Sequence, residues 1–381
     1  MKSIFSRGLL LFFLLILITN SSFAESEADS LIRQVENKTS SPPSAERNLG
    51  SLKYPVVGAA KLLPDISLIG TFAGAYFSTD PAGDQGHDPA ATGFNLQEIE
   101  VAFQSNIDPY LRADIFLGFH EDGVELEEGF ATTLGLIKGL QIRAGKFLIP
   151  IGRQNVKHLE QWHFIDNTLV NKYFLGVEAL SEIGVEAAYV FPLPFYLQAQ
   201  ASFSNGENTT SFGGARKEDF LYQGRITASF DLSQATTLLF GGSGATGFND
   251  TGFGNKTDVL GGDILLKYKP GARTSLTWQS EGMYRQRRAP ATDLKDGGFY
   301  SYVDLQFMKR WHVGARFDMV GLPDDSIVQE WRITPALTFD PTEFSRLRLQ
   351  YEYDKVENAD AVHAAFLQLV FNMGPHGAHA F

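Results

Sequence analysis

The chain has 381 residues, only 20% of them charged, with 31 Phe, 37 Gly, no Cys and a formal charge of −12. Without cysteine there is no disulfide framework, no thiolate metal site and no Cys nucleophile. An acidic balance without a basic block also excludes nucleic acid as a partner.

Residues 1–24 read as a signal peptide: Lys2 and Arg7 precede an apolar run from Leu9 to Ile18, and Ser22-Phe23-Ala24 places small residues at a cleavage point. The run of about ten apolar residues is half of what a membrane-spanning helix needs, so export rather than anchoring is expected. Residues 25–63 show no alternation and contain Ser40-Ser41-Pro42-Pro43-Ser44, which predicts a flexible periplasmic lead-in.

From residue 64 to 381 the pattern changes to period two. Leu111, Ala113, Ile115, Leu117 and Phe119 alternate with Arg112, Asp114, Phe116 and Gly118, and Phe195, Leu197, Ala199, Ala201 and Phe203 alternate with Tyr196, Gln198, Gln200 and Ser202. Trp311, Val313, Ala315, Phe317 and Met319 repeat the pattern, as do Leu347, Leu349, Tyr351 and Tyr353. Each run is about ten residues, the length a tilted strand needs to cross a bilayer.

A soluble sandwich alternates as well, so the connections decide. Those at 106–109, 137–139, 192–194, 232–235, 269–272, 308–310 and 340–343 are tight and rich in turn formers. The intervening ones, including 78–93, 205–218, 246–256 and 287–297, are longer and polar; 120–123 is a short exception. Tight turns on one rim and long loops on the other mark a transmembrane barrel. The expected fold is therefore all-β: an antiparallel transmembrane β-barrel of about 16 strands with its third long loop folded inward.

Phasing the runs turns Arg112, Arg143, Arg225, Arg285, Arg316, Glu100, Glu125 and Glu127 inward as pore lining. Lys267, Arg332, Arg346, Arg348, Asp114, Asp263, Glu281, Asp304, Asp318 and Glu352 follow the same phase. Burying so many ions dry would cost several kcal/mol for each one left unpaired, so a wet lumen is expected. Between Phe147 and Glu182 lies a long stretch without strand pattern that carries Arg153, Lys157, His158, Trp162, His163 and Lys172. Loops of this length are usually functional. Folded into the lumen, this one would form a constriction lined by Arg153, Lys157, His158, His163 and Lys172. Arg153, Lys157 and Lys172 are expected to face Glu100, Glu125 and Glu127 and to set up a transverse field.

The stretch Leu140-Gln141-Ile142-Arg143-Ala144-Gly145-Lys146-Phe147-Leu148-Ile149-Pro150-Ile151-Gly152 ends a strand and opens the long third loop. It resembles the porins of the phosphate-selective type, and the signal, lead-in, strand number and terminal Phe381 agree. The resemblance implies a homotrimeric porin of the bacterial outer membrane, surrounded by lipid, passing small polar or charged solutes such as phosphate, with the third loop as its constriction. In that family basic residues dominate the pore, whereas the inward charges here mix both signs.

Other readings are weaker. A TonB-dependent-type receptor for a metal or metal chelate needs a globular plug and about 22 strands, more than residues 64–381 supply. No enzyme is expected: Asp114 and His120 sit too far apart along one strand to hydrogen-bond, and no Gly-x-Ser-x-Gly elbow occurs. Gly242-Ser243-Gly244-Ala245-Thr246-Gly247 fits a dinucleotide pattern but leads into a Gly/Asn-rich loop rather than a helix, so no cofactor is expected. Asp84, His87 and Asp88, with His120, Glu121 and Asp122 on the neighbouring connection, have metal-binding chemistry but read as solvated loop polarity, with no metal. Trp311 and Tyr268 are expected in an aromatic girdle at the tight-turn rim.

Overall fold

The computed structural model describes residues 64–214, 216–322 and 328–374. The signal peptide and lead-in lie outside the described residues, as does the tail with Phe381.

Sixteen strands follow one another: β1 (Asp65–Phe77), β2 (Gly93–Asn106), β3 (Leu111–His120), β4 (Gly123–Thr133), β5 (Leu140–Leu148), β6 (Ser181–Val190), β7 (Tyr196–Ser204) and β8 (Leu221–Ser233) make the first half. The second half is β9 (Thr236–Phe248), β10 (Lys256–Tyr268), β11 (Ser275–Arg287), β12 (Leu294–Met308), β13 (Trp311–Leu322), β14 (Glu330–Thr342), β15 (Ser345–Val356) and β16 (Val362–Met373). Each pairs antiparallel with its neighbours in sequence, and β1 pairs with β16 to close the barrel. Closure leaves no edge, so the strand backbones find their partners within the wall. The seven tight turns all fall on one rim and the longer loops on the other, as the sequence predicts. The short exception is a two-residue turn, Glu121-Asp122.

Alternation fixes the two faces. Leu347, Leu349 and Tyr351 point outward, while Arg348, Gln350 and Glu352 are buried inside. Trp311 faces outward at the tight-turn rim, its ring 4.5 Å from that of Phe339, and Tyr268 faces outward on the same rim.

The wall is uneven. Strands β3 to β7 have 9–11 residues, against the 13–15 of their counterparts β10 to β12. Within this low side, β4 and β5 pair only from Gly129 to Thr132 against Arg143 to Lys146. At this seam Gly145 has φ +140°, and an added Cβ would run into the Gly129 carbonyl, so the close approach requires glycine. Above it Lys146 Nζ bridges the gap, donating to the Leu126 carbonyl at 2.5 Å and to Glu125 at 3.1 Å. Two β-bulges sit nearby. Gln97 is the extra residue in β2, and Glu127 the extra residue in β4. A bulge resets which side chains face inward, so Gln97 and Glu98 both turn inside, as do Glu127 and Glu128.

The interior is not wet throughout, which corrects the expectation drawn from composition. The loop between β5 and β6, residues 149–180 (loop 3), enters the lumen and carries helix α1 (Leu169–Leu175). Thr168 caps α1 by accepting the Asn171 N–H, and Gly176 ends it at φ +107°. Leu169, Val170, Phe174 and Leu175 of α1 are buried with Ile149, Ile151 and Phe164 against Val259, Met283, Tyr300 and Val320 of the wall. Those wall residues are inward positions that happen to be apolar, and the loop gives them a dry partner. A hydrophobic core therefore lies inside the barrel.

Candidate functional site

Loop 3 starts at a clamped neck. Ile149 N–H donates to the Leu180 carbonyl at 2.9 Å. The Asn155 side-chain amide donates to the carbonyls of Ile149 and Leu180, and its oxygen accepts the Leu180 N–H at 2.8 Å. One buried amide thus satisfies three backbone groups, which holds the two ends of the loop together.

Beyond the neck the chain reaches the far wall. Gly152 N–H donates to Ser243 Oγ of β9 at 3.0 Å, and the Arg153 and Gln154 N–H groups donate to one Glu281 oxygen of β11 at 2.7 and 3.1 Å. Gly152 has φ +66°, and an added Cβ would overlap the Glu281 carboxylate. Lys157 Nζ lies 3.3 Å from Gln279 of β11. The chain then swings back to the low wall, where His158 Nδ1 lies 2.8 Å from Glu100 and 3.2 Å from Glu127, and Nε2 lies 2.9 Å from Glu128. Burial alone would lower the His158 pKa, but hydrogen bonds to three carboxylates outweigh it and hold the ring protonated well above its ordinary range.

The next residues lie across the lumen floor. Arg348 of β15 donates to the Trp162 carbonyl at 2.8 Å, Gln350 accepts the Ile165 N–H at 2.8 Å, and Gln97 donates to the Ile165 carbonyl at 3.2 Å. Asp166 then closes the path. It pairs with Arg316 of β13, with Arg332 of β14 at 2.6 Å, and accepts from Gln350 at 2.5 Å. Burial opposes ionisation of this carboxyl, yet the two guanidiniums lower its pKa to about 2. Asp88 of the β1–β2 loop (loop 1, residues 78–92) accepts the Asn167 N–H at 2.7 Å and pairs with Lys172 at 2.9 Å. Tyr173 donates its hydroxyl proton to Glu330. The anchors on β4 and on β11 to β13 lie about half a circumference apart in strand order, so loop 3 crosses the lumen rather than lining one side.

On the tight-turn side of the loop is a cavity of about 570 Å³ lined by Arg153, Lys157, Glu160, His163, Lys267 and Arg346, among others. On the long-loop side is one of about 460 Å³ bordered by Asp80, Asp84, Asp88, Glu330, Glu352 and Asp354, with Lys172 and Arg332.

No family model matches the chain. An uncharacterized protein of Aquifex aeolicus (strain VF5) is 31% identical over 398 residues, spanning 88% of this chain and 84% of that protein. The chain belongs to its family. Among solved structures, the anion-selective porin from Comamonas acidovorans superposes with a TM-score of 0.59 at 12% identity, over 81% of this chain and all of that one. The outer membrane channel DcaP of Acinetobacter baumannii gives 0.56 at 9% identity, over 85% of this chain and 100% of that chain. OmpT of Vibrio cholerae gives 0.55 at 9%, over 81% and 97%. At these identities the likeness is one of fold, and the fold is theirs.

For this member of the Aquifex protein's family the structure revises the expected site. Arg153, Lys157 and Lys172 do not face Glu100, Glu125 and Glu127: Arg153 borders the tight-turn cavity and meets β11 through its backbone N–H, the Lys157 side chain meets β11, and Lys172 meets Asp88 of loop 1. His158 is the loop residue that meets Glu100 and Glu127, while Glu125 pairs with Lys146. His163 faces the tight-turn cavity, its ring centroid 4.9 Å from that of Tyr302. Arg225, Arg285 and Arg316 point inward as phased, but they are buried and paired with Asp263, Asp296 and Asp318, so they brace the interior rather than line open water. Arg112 and Arg143 pair with Asp114 and Glu186, and Arg112 alone of these five is well exposed. Asp166, Glu98 and Glu128 carry central contacts that alternation did not single out. The Glu125-Leu126-Glu127-Glu128 run and the phase change at Leu96-Gln97-Glu98-Ile99, which both break period two, were the available signs of the bulges.

Two loop groups titrate near neutrality. Burial first, and then Arg153, lower the Lys157 ammonium to about 7; burial first, and then Glu100, raise the Glu160 carboxyl to about 7. Acidification below pH 7 adds a positive charge at one and removes a negative charge at the other, so ion preference should move toward anions between about pH 8 and pH 6. Reversal potentials in a salt gradient check this, and Lys157→Gln and Glu160→Gln should each remove part of the shift. The two groups pull docking in opposite directions. Lys157 strengthens it as pH rises from about 7 toward 10.5, because the undocked loop binds the extra proton there; Glu160 weakens it as pH rises from 4.5 to about 7.

Proposed function

We propose that the protein is a porin of the bacterial outer membrane through which small polar or charged solutes diffuse passively, with loop 3 as its constriction. The observation that carries this reading is a loop crossing a closed sixteen-strand barrel between two polar cavities. Such a site selects by width and charge, and a fixed field in a low-dielectric cleft controls which ions pass. Lipid would meet the outward apolar face, which carries Leu347, Leu349, Leu367 and Leu369.

The charge pattern favours a cation over phosphate at the long-loop mouth. That cavity is bordered by five aspartates, Asp80, Asp84, Asp88, Asp166 and Asp354, and by Glu330 and Glu352, against two cations, Lys172 and Arg332. The tight-turn cavity is nearly balanced, with Arg153, Lys157, Lys267, Arg346 and Arg348 against Glu160, Asp304, Asp340 and Glu343. A trimer is proposed as the assembly; one solved form of Vibrio cholerae OmpT, at 8% identity, is a trimer.

Reconstitution into a planar bilayer tests both levels. Discrete conductance steps with a reversal potential on the cation side in a KCl gradient are expected. An absence of steps from correctly folded protein overturns the channel, and a reversal potential on the anion side overturns the charge argument alone.

A further inference from the structure

Beside the constriction, a group of histidines and carboxylates that shares Glu127 with His158 converges on one point at the long-loop rim. The ligand atoms of His87, Glu98 and Glu127 all lie within 4.8 Å of one another. Gly118 of β3 stands directly beneath them. A Cβ placed there would be 2.9 Å from His120 Nε2 and 3.1 Å from Glu98 Oε1, and closer still to Glu127 Oε1. The absent side chain leaves a space walled by two carboxylate oxygens and an imidazole nitrogen.

Glu98 Oε1 and Glu127 Oε1, both beside this space, find no hydrogen-bond donor outside the pair they form, and His87 Nδ1, 3.6 Å from the other Glu98 oxygen, also lacks a partner. Glu98 is 3% exposed, so water does not compensate its oxygen. Both histidines are held from behind. His120 Nδ1 lies 3.2 Å from the Gln97 carbonyl, which fixes the proton on Nδ1 and leaves the Nε2 lone pair facing the gap. His87 Nε2 lies 3.1 Å from Glu178, which in the same way frees Nδ1 toward Glu98. A ring nitrogen bound to a carbonyl or carboxylate while its partner nitrogen faces a gap is the arrangement that orients histidines on metals. The two β-bulges add to this, because Gln97 and Glu127, the extra residues of β2 and β4, are what bring the backing carbonyl and one carboxylate to this level. His158 is excluded from the set, since both its nitrogens are committed to carboxylates.

The geometry points to a divalent metal site formed by His87, His120, Glu98 and Glu127, of the nitrogen and oxygen type that Zn²⁺ favours. Two imidazoles and two carboxylates suit Zn²⁺ better than Ca²⁺ or Mg²⁺, which take oxygen alone. Tetrahedral ligands about 2.0–2.1 Å from zinc stand about 3.3 Å apart, so the atoms of His87, Glu98 and Glu127, now within 4.8 Å of one another, draw together on binding and His120 closes in from beside Gly118 as the fourth. A bound ion would pin loop 1, through His87, to the low wall of β2 to β4 beside the β4–β5 seam. The competing occupant of the gap is a proton shared between Glu98 and Glu127.

The test uses the full chain folded in detergent micelles, stripped with chelator, loaded with Zn²⁺ and passed through a desalting column, with bound metal counted by mass spectrometry. One equivalent per chain should be retained. Co²⁺ in its place should show the ligand-field absorption of a four-coordinate histidine and carboxylate site. Glu98→Gln, which preserves shape and can hydrogen-bond Glu127, should weaken Zn²⁺ retention at least tenfold while leaving the heat-modifiable migration of the metal-free barrel unchanged; His120→Ala should weaken it similarly. Replacing His376 and His379 of the tail by Ala should leave the retained equivalent in place. Failure to retain metal, retention that survives both ligand substitutions, or loss in the tail variant each overturns the site and leaves the shared proton as the account of the Glu98–Glu127 pair.

Discussion

Excising residues 153–177 and joining the ends through a short Gly/Ser linker should raise single-channel conductance several-fold, because the cavities of about 570 and 460 Å³ then merge into one passage. The excision removes the Asn155 clamp but keeps the Ile149–Leu180 backbone bond, and the β5–β6 ladder lies outside the excised residues. The barrel ladders do not pass through the excised residues, and the closed wall should still fold. Loss of α1 exposes Val259, Met283, Tyr300 and Val320 to water, which should lower the thermal transition even as conductance rises. A folded deletion variant with unchanged conductance would remove loop 3 from the permeation path.

Asp166→Ala should have the largest effect of any single substitution in the loop. Its carboxylate is the shared partner of Arg316 and Arg332, both buried, and it also receives Gln350. Removing one member of a buried ion cluster leaves the others with fewer partners, at a cost of up to about 3–5 kcal/mol. The loss falls on loop docking rather than on the wall, because Arg316 and Arg332 keep Asp318 and Asp354. Limited proteolysis within 149–180 and noisier, larger conductance steps are the expected readouts. Asp166→Asn keeps the shape and some hydrogen bonds, and should fall between the two. The sign of the acid dependence follows from the same cluster. With its pKa lowered to about 2 in the docked loop, Asp166 stabilises docking fully above the ordinary carboxylate range, and this contribution is lost only as pH falls through that range toward about 2. Cleavage of Asp166→Ala no faster than that of the unmodified chain would show that the anchor lies elsewhere.

The barrel was legible because lipid and lumen impose opposite demands on neighbouring residues. That demand is local, and so a run such as Leu347 to Asp354 shows it without knowledge of the rest of the chain. The rim assignment was equally accessible, since turn length is written directly in sequence. What the loop would touch was not. Glu281 and Asp166 meet partners more than a hundred residues away in the chain, and nothing in the loop's own composition says whether Lys157 or His158 will turn toward β4. The bulges at Gln97 and Glu127 hid for a related reason. One extra residue changes the phase of everything beyond it, and period-two reading carried from either end accounts for only one half of each strand. The wet interior was over-predicted because inward charges were counted while the inward apolar residues Val259, Met283 and Val320 were not weighed as a surface that a loop can cover.

The course of loop 3 from the low wall to β11, β13 and β14 also gives the molecule a cross-member. A hollow cylinder under lateral squeeze fails by flattening, and a wall that is weakly joined along one line flattens there first. Here that line is the β4–β5 seam, where only Gly129 to Thr132 pair with Arg143 to Lys146. His158 presses against Glu127 and Glu128 just above this seam, while Asp166 braces the opposite side through Arg316 and Arg332. Close-packed side chains transmit load with little give. Loop 3 is therefore also a tie and a strut that keeps the cross-section round under lateral load, so the proposed constriction and the stiffness that would preserve its width reside in the same thirty-two residues, 149–180.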